Sequence, residues 1–484
     1  MRIRPGPLVA LLLLAGLGAW VYLEEFRGAE ERRLAEERRT RPLPFERSEL
    51  RALTLTNEHG RVRLEKSGEE FRLVEPLPCA VDREALESLL TSVEIARIER
   101  RLGPQSDLAR YGLDPPRATL AIEVSGEAAG ATLAIGEGSP IGGTYFALLP
   151  GGEGVAVVSG SIGSAAEKSF FNLRDKSLLA FDPWKITRLR IERGRETILL
   201  EKPSDGWKLA RPVEAPADGP TITDLLSALE RLRASEFVLE SADAAALKRY
   251  GLEPPAARVT LLQEGWDVEK TVVFGRKGEA DLYARAVGRD PILKIPADFW
   301  DKLATRVIDL RRKDLLGVSR YRIEQITAAR GFGPALVLSR QEDGSWSVSG
   351  PASGSVKDAA VDRLLRLVSD MRALSFEDAP GEDLLASLAG HPALDLVLEE
   401  RSEGDDGTGR SQHLVVGAPD RAGRIRVRDM AWRPVAVVDG GILERMDKQL
   451  DAIVKEAEAP PAIPTEPAPE GPAGPDEEPP EEAG

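Results

Sequence analysis

The sequence predicts an α+β protein of three tandem modules behind an N-terminal transmembrane helix. Each module is expected to run strand meander, helix, second strand meander, closing helix. Three observations predict this. The phrase Arg110-Tyr111-Gly112-Leu113-Asp114-Pro115-Pro116 returns as Arg249-Tyr250-Gly251-Leu252-Glu253-Pro254-Pro255. Position 111 maps onto position 250, a spacing of 139 residues, which is the size of a domain and not of a solenoid repeat. The 484 residues leave room for about three such domains. Finally, one apolar run opens the chain between basic and acidic flanks.

The N-terminus carries the address. Residues 1–7 are expected in the cytoplasm, with Arg2 and Arg4 supplying the positive charge. Residues 8–25 form the expected anchor, whose Trp20 and Tyr22 suit a membrane interface and are followed by Glu24 and Glu25. The rival is a cleaved signal peptide cut near Ala19, with Gly16 and Gly18 as its small residues. Residues 26–47 are expected to form a helical stalk. Arg32 and Glu36, Arg33 and Glu37, and Glu37 and Arg41 stand at i,i+4 spacing, and Pro42 and Pro44 end the helix.

The first module is assigned to residues 48–181. Residues 53–56 and 62–65 alternate apolar and polar around a turn at Asn57 to Gly60, which is a hairpin signal. Residues 71–74 make a third strand. The period then changes, and Leu86, Leu89, Leu90 and Val93 mark one helix face that Asp82 can cap. A short helical turn ends at Tyr111, where Gly112 suits a left-handed position and Pro115 and Pro116 stop the helix. Strands follow at 118–124, 131–135, 145–148 and 155–158, with a closing helix at 161–172.

The second module, residues 182–318, repeats the order. Trp207 stands where Phe71 did, and Ile222, Leu225, Leu226 and Leu229 line the helix. Its closing helix is expected at 298–308. The exits match as well: Leu173-Arg174-Asp175-Lys176-Ser177-Leu178-Leu179 against Leu310-Arg311-Arg312-Lys313-Asp314-Leu315-Leu316. The third module, residues 319–455, is degenerate. Trp346 and the face of Val361, Leu364, Leu365 and Val368 persist, but His391-Pro392 stands where the double proline should be and the Tyr-Gly-Leu phrase is gone. Residues 456–484 form an expected disordered tail of Pro, Glu, Ala and Gly. It suits a solubilising spacer or an acidic interaction segment.

Charge and composition narrow the chemistry. The net charge is −15; residues 456–484 hold nine acids and no base, which leaves −6 elsewhere. A mildly acidic body argues against nucleic acid as a partner. Cys79 is the only cysteine, so neither an internal disulfide nor a cysteine-based metal site can form. A Ser/His/Asp site would have to recruit His59, His391 or His413 from afar, and each is expected to be a surface or turn residue. The stretch Gly136 to Gly143 fits no phosphate or dinucleotide fingerprint and is expected to be a strand-connecting loop. Arg97, Arg100 and Arg101, like Arg311, Arg312 and Lys313, are expected at solvated helix ends. No catalytic residue, metal ligand or cofactor site is assigned. In the repeated motif, Tyr111, Gly112, Leu113, Pro115, Pro116 and their copies Tyr250, Gly251, Leu252, Pro254, Pro255 are expected to act structurally, since Gly and Pro work through backbone geometry. The alternative is a pair of phenols presented to a ligand.

The motif at 111–116 and 250–255, the exit phrases and the single apolar helix together resemble a bacterial domain-of-unknown-function family, number four-three-four-zero. The resemblance covers most of residues 1–455. It implies an anchor followed by repeated α+β modules outside the inner membrane, in a protein associated with gliding-motility or ABC-type transporter systems. It implies no catalytic residues. The expectation is therefore a non-enzymatic scaffold or accessory subunit of a membrane complex, with the bulk of the chain periplasmic. The runner-up is an anchored binding module for a glycan or peptide, which calls for concave sites at equivalent positions of the first two modules.

Overall fold

The computed structural model describes residues 39–459, without 126–129, 141, 205, 278–279 and 402–408, together with Gly16 and Tyr22. The expected anchor, with Arg2, Arg4 and Trp20, lies outside the described residues apart from Gly16 and the exposed Tyr22. So do residues 26–38 of the expected stalk and 460–484 of the tail. Among the described residues no helix is long and apolar enough to cross a membrane.

Two compact units divide the chain, Met1–Ser177 and Leu178–Gly484. The first holds β1 (Leu50–Asn57), β2 (Gly60–Ser67), β3 (Glu70–Glu75), β4 (Cys79–Ala80), α1 (Arg83–Glu94), β5 (Ile98–Gly103), β6 (Ala118–Val124), β7 (Ala131–Gly138), β8 (Thr144–Leu148), β9 (Val155–Ser159), α2 (Ser161–Ala166) and α3 (Phe170–Leu173). The second unit begins with β10 (Ile186–Arg193), β11 (Glu196–Glu201), β12 (Lys208–Arg211), β13 (Ala215–Pro216), α4 (Gly219–Glu230), β14 (Glu236–Leu239) and α5 (Ala244–Arg249). Its second module continues through β15 (Ala257–Gln263), β16 (Lys270–Lys277), β17 (Asp281–Ala286), β18 (Ile292–Ile295), α6 (Phe299–Leu303) and α7 (Val307–Leu310). The third module has β19 (Ile323–Arg330), β20 (Leu336–Arg340), β21 (Trp346–Ser349), β22 (Gly354–Val356), α8 (Asp358–Ser369), β23 (Ser375–Glu377) and α9 (Glu382–Gly390). It ends with β24 (Leu394–Glu400), β25 (Ser411–Val416), β26 (Arg424–Asp429), β27 (Val435–Asp439) and α10 (Gly441–Ala457).

Each module has one nine-stranded antiparallel sheet, with the same order three times: β4-β3-β2-β1-β6-β7-β8-β9-β5 and its two copies. The two meanders are one sheet because their first strands pair. Leu53 faces Ile122 and Leu55 faces Leu120. Leu189 faces Leu261 in the second module, and Ile326 faces Leu398 in the third. Side-chain alternation puts these residues on one face, where they meet the helix between the meanders. The buried faces of α1 and α4 are the residues that the sequence pattern marks, Leu86, Leu89, Leu90 and Val93, then Ile222, Leu225, Leu226 and Leu229. Asp82 accepts from the Ala85 N–H at 3.0 Å and Asp218 from the Thr221 N–H at 3.0 Å, so each helix has its side-chain cap. In α8 the capping position is Lys357, whose backbone N–H is instead taken by Glu456 at the far end of α10.

Several expectations are corrected. The closing helix at 161–172 is two helices, because Ser169 and Asn172 form a capping box that starts a new one. That at 298–308 also splits, at Arg306, which is extended. Arg100 and Arg101 lie in β5, a sheet edge, where charge discourages pairing with another chain. Arg97 does sit at a helix end, donating to the carbonyls of Glu94 and Ala96. Arg311 is buried, not solvated: it pairs with Asp378 and lies 3.6 Å from the Phe376 ring centroid. Gly136 and Gly138 belong to β7, not to a loop. Leu43 and Phe45 are buried in the first core, ahead of position 48. Helix α10 runs to Ala457, past the tail boundary at 456.

Candidate functional site

The repeated phrase builds the same turn twice. A one-turn helix, Ala109–Tyr111, stops at Gly112, whose φ of 65° is left-handed; its N–H reaches the Ala109 carbonyl at 3.0 Å. The Leu113 N–H then returns to the Leu108 carbonyl, Leu113 bridges to Pro116, and the Asp114-Pro115 bond is cis. In the second module Gly251 has φ 66°, the Leu252 N–H returns to the Leu247 carbonyl at 2.8 Å, Leu252 bridges to Pro255, and Glu253-Pro254 is cis. Leu113 and Leu252 are buried. Leu252 joins a small core of Ala246, Val273, Tyr283 and Ile292, separate from the main one.

Each turn is pressed against the sheet at a glycine. A Cβ on Gly136 would collide with the Tyr111 carbonyl oxygen, and one on Gly275 with the Tyr250 carbonyl oxygen. The phenol rings pack edge-on, Tyr111 on Phe146 at 4.9 Å and Tyr250 on Tyr283 at 4.8 Å between centroids, a favourable arrangement of ring quadrupoles. The Tyr111 hydroxyl donates to Gln105 at 3.3 Å. Burial, and then the Asp281 carboxylate, push the Tyr283 hydroxyl above the ordinary phenol range. Tyr111 belongs to the first unit and Tyr250 to the second, and each turn packs within its own module. In the third module the Leu388 side chain of α9 approaches Gly417 in the place of a carbonyl.

Two grooves lie on equivalent strands. One, of about 600 Å³, runs along β3 and β4 beside α1, lined by Phe71, Arg72, Cys79, Arg83 and Leu86 among others. At its rim the carboxylates of Glu94 and Glu87 hold the Arg47 guanidinium, raising its pKa against the cost of burial. The other, of about 350 Å³, runs along β12 and β13 and is faced by Trp432, Arg433 and Pro434 of the turn between β26 and β27. Sequence reasoning missed both, since two-residue strands such as β4 and β13 carry no periodicity. The cluster Trp432-Arg433-Pro434 was the available signal.

The three histidines are not gathered. His59 is exposed in the β1–β2 turn, His391 ends α9, and His413 Nε2 meets Asp395 at 2.7 Å across β24 and β25. Among the described residues no group of three or more His, Cys, Asp or Glu is placed to hold a metal ion.

A family model, described as a domain of unknown function (DUF4340), matches the chain over residues 71–238 and 207–386. The two matches start on Phe71 and Trp207, which are equivalent positions of the first two modules. No curated protein matches the chain.

Proposed function

The chain belongs to the family of the domain of unknown function DUF4340, and from that premise we propose that it is a non-enzymatic, membrane-anchored envelope protein. Its role is that of a scaffold or accessory subunit of an ABC-type transporter or a gliding-motility-like complex. The N-terminus stays in the cytoplasm, residues 8–25 span the inner membrane, and the modules stand in the periplasm. The observation that carries this reading is the use made of the recurring residues. The motif shapes a turn and seals it against a glycine of the sheet, so what the modules share is architecture, and repeated architecture suits an extended protein-binding surface. The test is recovery of the full chain from its native membrane in mild detergent, with mass spectrometry of what accompanies it. Transporter subunits in stoichiometric amounts are expected. Recovery of the chain alone, at low salt and after cross-linking, would sink the proposal.

A second reading, an anchored binding module for a peptide or glycan, has one observation in its favour. Grooves occur on equivalent strands of the first two modules, at Arg72, Cys79 and Ala80 and at Lys208, Ala215 and Pro216. Specific retention of a peptide or glycan by the purified chain, lost on changing the groove, separates this reading from a pure scaffold.

A further inference from the structure

The groove between the second and third modules has the chemistry of a peptide site. Trp432 and Pro434 stand on one side and Pro216 on the other. An indole beside prolines offers the flat apolar walls that receive a polyproline II rod. The charge is mainly positive. Lys208 and Arg433 are exposed at the groove, against one carboxylate, Glu214. The Arg312 guanidinium lies 5.9 Å from the Trp432 ring centroid, and its Nε is buried with no hydrogen-bond acceptor among the described residues. Arg311, neutralised by Asp378 and laid on Phe376, supports the wall and is not counted as a reader of ligand charge.

We infer that the occupant of this groove is the chain's own segment 460–484; the inference rests on the binding-module reading and deepens it. That segment has nine prolines, seven acids and no basic residue. Pro461, Pro464 and Pro467, and again Pro469, Pro472 and Pro475, repeat at the three-residue period of a polyproline II helix. It complements the groove in both respects, proline to indole and carboxylate to cation. It starts in the same compact unit, at the edge of the third sheet away from the groove. Helix α10 is fixed on the third module, where the Ala457 carbonyl closes over Gly354 and Glu456 accepts from the Lys357 N–H. Twenty-five residues at ~3.1 Å each reach roughly 75 Å, enough to cross the strands from β22 to the β26–β27 turn, which at ~4.8 Å a strand span about 30 Å. A tether of this kind supplies an effective concentration in the millimolar range, so modest affinity suffices. An outside ligand of the groove must then displace the segment.

The test compares the full chain with a chain ended after Ala459, both keeping the N-terminal segment and both in detergent. A labelled synthetic peptide of residues 460–484 is titrated at low salt and followed by anisotropy. The shortened chain is expected to bind it. The full chain is expected to bind about ten-fold more weakly or less, because its own segment competes. In the shortened chain, Trp432→Ala and the exposed Arg433→Glu should each weaken binding about ten-fold, and added salt should weaken it further. The inference is overturned if the shortened chain does not bind, if Arg433→Glu changes nothing, or if full and shortened chains bind alike. Uncharged polyproline and polyglutamate peptides are titrated in parallel. Their Trp432-dependent binding without binding of the 460–484 peptide would overturn the assignment of the segment and leave the groove as a site for another peptide. Failure of all three peptides would overturn the peptide-site reading with it.

Discussion

At Gly136 one added methyl group would meet the carbonyl oxygen of Tyr111, and at Gly275 that of Tyr250. Backbone cannot yield as a flexible side chain does. Gly136→Ala and Gly275→Ala should therefore each destabilise their module by about 2 kcal/mol, the range for overpacking. Gly142→Ala, in the same glycine-rich stretch but with open space around it, should leave the urea midpoint unchanged. Equal effects at 136 and 142 would contradict the account. The phrase at 111–116 was legible in the sequence, because Gly and Pro state their backbone requirement locally. Its partner glycine was not, because only the sheet order brings β7 under the turn. A second prediction concerns pH. Hydrogen bonds from Arg63, at 2.7 and 3.2 Å, hold the Glu123 carboxyl below its ordinary value of 4.5. The unfolded chain therefore binds the proton more readily. The stabilisation is complete above the unfolded value and is lost as pH falls through the folded one. Glu123→Gln should flatten the acid limb of the stability curve, modestly, since this carboxylate is largely solvated.

The exit phrase works at the scale of elements. Leu310 is buried in the second module's core, while Leu315, five residues on, is buried in the third's. Likewise Leu173 closes the first core, and Leu178 and Leu179 open the second. The sequence showed that the phrase recurs but could not show that its leucines divide between cores. Truncating a buried leucine costs about 2–5 kcal/mol. Leu310→Ala should speed hydrogen exchange chiefly in α4, and Leu315→Ala chiefly in α8. Loss of protection in the same helix for both variants would contradict the division. The main helices and long strands were legible from periodicity, down to the capping Asp82. The short edge strands β4, β5, β13 and β14 were not. Two to six residues, some of them charged, hold no pattern that separates an edge from a loop. Helix α10 carries Ile442, Met446, Leu450 and Ile453 at helical spacing, yet its last turn runs into the acidic stretch and blurs the boundary.

For the whole molecule, the module count was legible because duplication leaves its mark on sequence directly. The fusion of two meanders into one sheet was not, since pairing between β1 and β6 joins residues some 65 positions apart (Leu55 and Leu120). Nor were the grooves, which depend on how strands and modules meet. On the proposed function the recurring tyrosines serve packing, and partners bind elsewhere on the modules. The most direct measurement is native-membrane co-purification of the double variant Tyr111→Phe, Tyr250→Phe, which keeps both rings and removes both hydroxyls. The expected result is an unchanged urea midpoint and the same accompanying proteins as the unaltered chain. A variant that folds with an unchanged midpoint but comes away without those proteins would contradict it, and would make the phenols a binding site.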